Sequence, residues 1–193
     1  MVRSIQTLWA QEVPSRAEVL GKGPSLDRWP ADPLAPGDVV VALNHAALVR
    51  PCTHVVFLDT CCADTPFPPA AEPIRQERFA HTHGGRGYTF TVNRHGWFEA
   101  IQMDRHQRGD VPEWAQIGSA AVAVWILAAW GVQELVLVGM DSMDDPEDLR
   151  MAECLRGICA PKPRGSYESI NRGILRALAA HDVQPVWWHR RET

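Results

Sequence analysis

Polar residues able to do chemistry stand directly after several apolar runs of this chain. That is where a strand hands over to a turn and where open α/β sheets bind ligands. The first set is Gly21-Lys22-Gly23-Pro24-Ser25. Two residues without Cβ atoms let the backbone turn tightly and approach a phosphate. Lys22 adds a point charge. A helix starting behind Ser25 as its N-cap would offer unpaired N–H groups and a positive dipole end to an anion. Leu26 stands where a dinucleotide fingerprint has its third glycine, and no Gly-Lys-Ser/Thr ends the loop as in a P-loop. The alternative is a plain strand-to-helix turn.

Asn44 follows the next apolar run and either pairs its amide with a base edge or phosphate or caps a helix starting at Ala46. Asp59 ends a third run and reaches a ribose hydroxyl or a metal, or forms a turn. Asp141, in Gly139-Met140-Asp141, heads an acidic run with Asp144, Asp145, Glu147 and Asp148. Magnesium needs only one or two carboxylates beside substrate phosphates, so Asp141 is the metal candidate and the rest of the run reads as a solvated loop. The small pair Gly118-Ser119 admits a ligand or a neighbouring strand. His189 is a candidate general base, because imidazole titrates near neutrality, or an ordinary exposed histidine beside Arg190 and Arg191. Cys61, Cys62, His81 and His83 lack the spacing of a zinc site.

Apolar runs at 17–21, 38–43, 53–58, 134–138 and 183–188 predict strands. Their unbroken β-branched character suits a parallel sheet covered on both faces. Helices are expected from residue 26, over 113–130 with Gly131 closing it, and over 167–181. Strand and helix alternate, which predicts one mostly parallel α/β sheet of about five to seven strands in a single nucleotide-binding domain spanning 1–193. Residues 60–112, rich in Pro, Gly, His and Arg, are expected to form an insertion, either a lid or an edge hairpin, with a strand-like alternation at 88–92.

A length of 193 residues with 46% hydrophobic and 22% charged residues suits one well-buried core. The formal net charge of −4 argues against duplex DNA and anionic membranes as partners, since both demand a concentrated basic face. A local basic group (Arg94, His95, Arg105, His106, Arg108) keeps nucleic acid open as a remote alternative. Five cysteines without framework spacing, and no recognisable signal or spanning segment, lead to the expectation of a reduced, cytoplasmic protein. Homo-oligomer formation stays open.

Three blocks carry a family resemblance: Val19-Leu20-Gly21-Lys22-Gly23-Pro24-Ser25-Leu26, Val41-Ala42-Leu43-Asn44, and Gly118-Ser119-Ala120-Ala121 with Val136-Leu137-Val138-Gly139-Met140-Asp141. Together they resemble a Rossmann-like group that holds the family-42 sialyltransferases, the domain-of-unknown-function 115 proteins and the archaeal hydroxymethyl-dihydropterin pyrophosphokinases. The resemblance implies that Gly21, Gly23, Pro24, Ser25 and Asn44 hold nucleotide phosphates and sugar. It further implies that Ser119 contacts the nucleotide or donor and that Asp141 lies at the nucleotide site. In the sialyltransferases tyrosines assist the leaving phosphate and a C-terminal histidine acts as base, which points to Tyr167 and His189. Lys22 departs from that pattern, where the sialyltransferases carry a neutral asparagine.

The expectation is a transferase using a nucleotide or nucleotide-sugar donor, of glycosyltransferase-like type. The alternatives are a magnesium–ATP phosphoryl or pyrophosphoryl transferase and a non-catalytic nucleotide-binding protein.

Overall fold

Apolar, β-branched runs leave no polar side to face water, and here they assemble into the buried centre of one sheet. The computed structural model describes residues 12–30, 37–57, 88–94, 97–103, 112–115, 118–160 and 166–190. The strands are β1 (Arg16–Leu20), β2 (Val40–Leu43), β3 (His54–Phe57), β4 (Tyr88–Arg94), β5 (Trp97–Met103), β6 (Glu134–Val138) and β7 (Gln184–Trp187). They form a seven-stranded sheet in the order β5-β4-β3-β2-β1-β6-β7. β1, β2, β3, β6 and β7 run parallel, with Leu20 level with both Ala42 and Val138. β4 and β5 form an antiparallel hairpin on the β3 edge. The mostly parallel α/β sheet expected from the sequence is therefore present, and part of the 60–112 segment is an edge hairpin. β5 was not anticipated as a separate strand.

Alternation along each strand divides the apolar side chains between two cores. On one face Val19, Val41, Leu135 and Leu137 pack under two helices, α1 (Ser119–Trp130) and α2 (Ser166–Ala180). On the other face Leu20, Ala42, Val136 and Val138 meet Leu26, Ala46, Ala152 and Leu155, which belong to 3-10 turns and loops rather than to α-helices. Helix α1 is apolar on every side and buried except at Ala129. Gly131 closes it at φ 102°, a left-handed conformation that glycine adopts without steric cost.

Two predicted helices differ from the sequence reading. The segment behind the glycine loop is only a five-residue 3-10 turn, Pro24–Arg28, with Gly23 at its N-cap position and no cap from Ser25. Pro30 explains the early end: its ring pushes Trp29 out of the helical region, and Trp29 sits at ψ 129°. The helix expected from residue 113 begins at Ser119 instead, after a separate 3-10 turn at Glu113–Ala115. Gly118 between them is extended, and a Cβ there would lie 2.7 Å from Cγ1 of Ile170 on α2. Tertiary packing thus sets the helix start. Among the described residues no helix is long and apolar enough to cross a membrane.

Leu127, fully buried in α1, tests the first core. Leu127→Ala should cost about 2–5 kcal/mol in urea unfolding; a loss well below about 1 kcal/mol would show that α1 is not packed as described.

Candidate functional site

β1 feeds β2 on one side of the sheet, while β6 lies on its other side. The chain therefore leaves the adjacent ends of β1 and β6 in opposite directions, and a crevice opens there. Two glycine turns meet at that point. Gly21 N–H donates to the Val138 carbonyl at 2.7 Å and Gly23 N–H to the Gly139 carbonyl at 2.8 Å. A Cβ on Gly21 would stand 2.5 Å from the Gly139 oxygen, and one on Gly23 would collide with the Asp141 carboxylate. Gly139 has φ +67°, and a Cβ there would lie 2.7 Å from the Gly21 carbonyl carbon. The glycines thus make room for the turn after β6.

Ser25 completes the junction. Its hydroxyl accepts from Gly139 N–H at 2.9 Å and donates to Asp141 Oδ2 at 2.9 Å, while its own N–H lies 3.2 Å from both Asp141 oxygens. Leu26 N–H returns to the Gly23 carbonyl and Pro24 has no N–H to offer. Among the described residues, only the Lys22 N–H of this loop is left without an acceptor. The row of free amides anticipated here is therefore absent, because the turn is short and its donors are already used. Asp141 is correspondingly a clamp on Ser25.

The free helix end in the crevice belongs to α1. Its first bond runs from Val122 N–H to the Gly118 carbonyl, so the amides of Ser119, Ala120 and Ala121 precede any intrahelical acceptor. With its 12 residues, α1 carries a full N-terminal dipole. Beside it lies Asn44, 2% exposed and left-handed at φ 51°. Asn44 heads a 3-10 turn, Asn44–Leu48, whose N-cap position is Leu43, so its side chain caps no helix. Its Nδ2 donates instead to Ser119 Oγ at 3.1 Å, and its Oδ1 is buried with no hydrogen-bond partner. An unsatisfied buried carbonyl costs on the order of 1–3 kcal/mol, so its presence in a crevice calls for a donor.

Gly21, Lys22, Gly23, Asn44, Ser119 and Tyr167 all line this cleft, which holds about 550 Å³ of empty space counted with the part open to solvent. Pro24, Ser25 and Asp141 lie behind it, outside the lining. Tyr167, in the first turn of α2, is half-buried. Burial first, and then the nearby Asp148 carboxylate, pushes its phenol above the ordinary value. Asn171, one turn further along α2, donates to the Ser142 carbonyl at 2.6 Å and ties the helix to the loop after β6.

His189 is placed elsewhere. It sits in a 3-10 turn after β7, with only 7% of its side chain exposed and Nε2 2.7 Å from Asp144 Oδ2. It is neither the exposed histidine nor the cleft base that the sequence suggested. Asp59, Cys61, Cys62, His81 and His83 fall outside the described residues, as do His95, Arg105, His106 and Arg108. The sequence reading passed over Arg150 and Asn171, both in the cleft wall, and treated Asp148 as part of a solvated acidic run. An arginine two residues after an aspartate in an irregular loop carries no periodic signal, so only the folded loop exposes its role.

The junction is tied to the far wall by Ala152 N–H, which donates to the Lys22 carbonyl at 2.8 Å. Asp27 adds a second tie, accepting from Glu153 N–H at 2.7 Å and Cys154 N–H at 3.0 Å. Burial acts to raise the Asp27 carboxyl, but these two N–H donors, with the Cys154 thiol and the Arg50 guanidinium, together hold it below the usual value.

Two expectations follow from these contacts. Ser25→Ala leaves the buried Gly139 N–H without its acceptor and should cost about 1–3 kcal/mol in chemical unfolding; an unchanged midpoint would show that Ser25 does not hold the junction. Asp27→Ala should cost roughly 0.5–2 kcal/mol near neutral pH, as lost caps do. A lowered folded pKa gives stability that is present above the ordinary carboxyl value and disappears as pH falls through the folded one. The gap between wild type and Asp27→Ala should therefore close on acidification; a gap that persists in acid would contradict the assignment.

The chain matches no family model, no curated protein and no solved structure.

Proposed function

We propose that this protein is a nucleotide-dependent transferase of glycosyl type, holding the donor's phosphates in the cleft between the ends of β1 and β6. The observation that carries this reading is a convergence at one point. Lys22, the free first-turn amides of α1 and the buried Asn44–Ser119 pair with its unpaired carbonyl all meet at the crossing of the sheet. A phosphate answers the cation and the amides, and a hydroxyl or N–H of the same ligand answers Asn44 Oδ1.

In this reading the protein contributes position and electrostatics more than covalent chemistry. Lys22 stabilises charge developing on the leaving phosphate. The Tyr167 phenol, protonated at neutral pH as any tyrosine is, donates to a leaving oxygen. Asp141 is not assigned a metal, because both of its oxygens already engage Ser25. The neighbouring carboxylates are also engaged: Asp145 accepts from Glu147 N–H, Asp148 binds Arg150, and Asp144 meets His189. Among the described residues no group of three or more His, Cys, Asp or Glu is placed to hold a metal ion. These engagements give the magnesium–ATP alternative no added support over a metal-independent transfer.

Thermal melting with CMP, UDP, GDP and ATP, each with and without magnesium, tests the reading. A ligand at a hundredfold its Kd should add about 2.7 kcal/mol of stability, and Lys22→Ala should lose most of that gain while melting normally without ligand. No shift with any nucleotide, or an equal shift in Lys22→Ala, would overturn it.

A further inference from the structure

Arg150 enters the cleft wall already engaged. Its Nε donates to Asp148 Oδ1 at 2.8 Å and its Nη2 to Asp148 Oδ2 at 2.6 Å, the two-pronged geometry in which a guanidinium also grips phosphate. Asp148 is held from a second side, because its Oδ1 accepts the Arg150 backbone N–H at 3.1 Å. The carboxylate side chain is 15% exposed, whereas the arginine side chain is 77% exposed. The arginine is thus the more exposed partner and the aspartate the more enclosed one. Both residues line the cleft that contains Lys22, and the segment carrying them is tied to the Lys22 carbonyl through Ala152 N–H.

We propose that the Asp148–Arg150 pair is an anion-exchange gate, in which a diphosphate or terminal phosphate of the ligand displaces Asp148 from Arg150 and takes both Arg150 and Lys22. This rests on the phosphate-binding reading of the cleft and narrows its ligand class. With the gate closed, Arg150 is neutralised by Asp148, and among the described residues lining the cleft Lys22 is the remaining cation. A singly charged phosphodiester offers Arg150 no more than Asp148 already does. A group with two or more negative charges offers more, and its charge matches the two cations that opening would provide. An ion pair whose arginine is largely exposed is worth little in water, so exchanging its partner costs little, and anion binding should weaken as salt rises.

Calorimetric titration of inorganic pyrophosphate into the full chain and the variants Arg150→Ala, Asp148→Asn and Asp148→Asn/Arg150→Ala, with the best nucleotide from the melting screen in parallel, tests the gate. Arg150→Ala should weaken pyrophosphate about tenfold, in line with loss of a charge-assisted contact. Asp148→Asn should tighten it several-fold, and that gain should vanish when Arg150 is also removed. A gain of equal size in both backgrounds would mean that Asp148 only repels anions and would overturn the gate. So would a pyrophosphate Kd within twofold of wild type in Arg150→Ala. Nucleotide binding without pyrophosphate binding sinks the gate alone; absence of both sinks the cleft reading as well.

Discussion

The backbones of Gly21 and Gly139 occupy the space where each other's Cβ would stand, and the rest of the site depends on that contact. It lets β1 and β6 end level, with two turns interlocked by Gly23 N–H on the Gly139 carbonyl and Ser25 on Asp141. A side chain at either glycine would push the turns apart. With them would go Lys22 on one turn and the loop running on to Arg150 on the other. The same contact assigns the polar groups of the loop to structure, so little of it remains for a ligand except the Lys22 side chain and amide.

What the loop does not offer, α1 does. Its start is fixed by a contact distant in sequence, Gly118 against Ile170, which leaves its first amides at the crevice beside Asn44. Asn44 combines a left-handed backbone with a buried, unpaired carbonyl. A left-handed backbone at a residue other than glycine persists only where the surroundings over-determine it. A ligand donor on Oδ1 would satisfy the carbonyl. The opposite wall presents charge through a loop in which Asp145 and Asp148 engage the loop's own amides and arginine, while Asp141 and Asp144 reach out to Ser25 and His189. The cleft thus brings together one buried polar pair, one helix end and the Asp148–Arg150 ion pair.

Much of the fold was legible because it rests on local signals. Unbroken apolar runs located β1, β2, β3, β6 and β7, and Gly131 located the end of α1. The errors share a physical origin. Ser25 looks like a helix cap until Pro30 cuts the turn short and the serine turns to Gly139 and Asp141. Gly118 looks like a helix interior until Ile170 is packed against it. The glycines of the loop stand out in the sequence, but the contacts that require them lie in the turn after β6, more than a hundred residues away. Of the site, Lys22, Asn44, Ser119 and Tyr167 were named from sequence and share the cleft. Arg150 was not, since its importance comes from which wall its loop forms. His189 was misplaced because strand-end position alone does not say which crevice a side chain faces.

The most direct test of the central claim is an amide chemical-shift map of the full chain titrated with a nucleoside diphosphate. The largest changes are expected at Lys22, Asn44, Ser119, Ala120 and Arg150, around the adjacent ends of β1 and β6. Changes confined to other surfaces, such as the opposite end of the sheet near Glu18 and Val39, would contradict it, as would a spectrum that does not change.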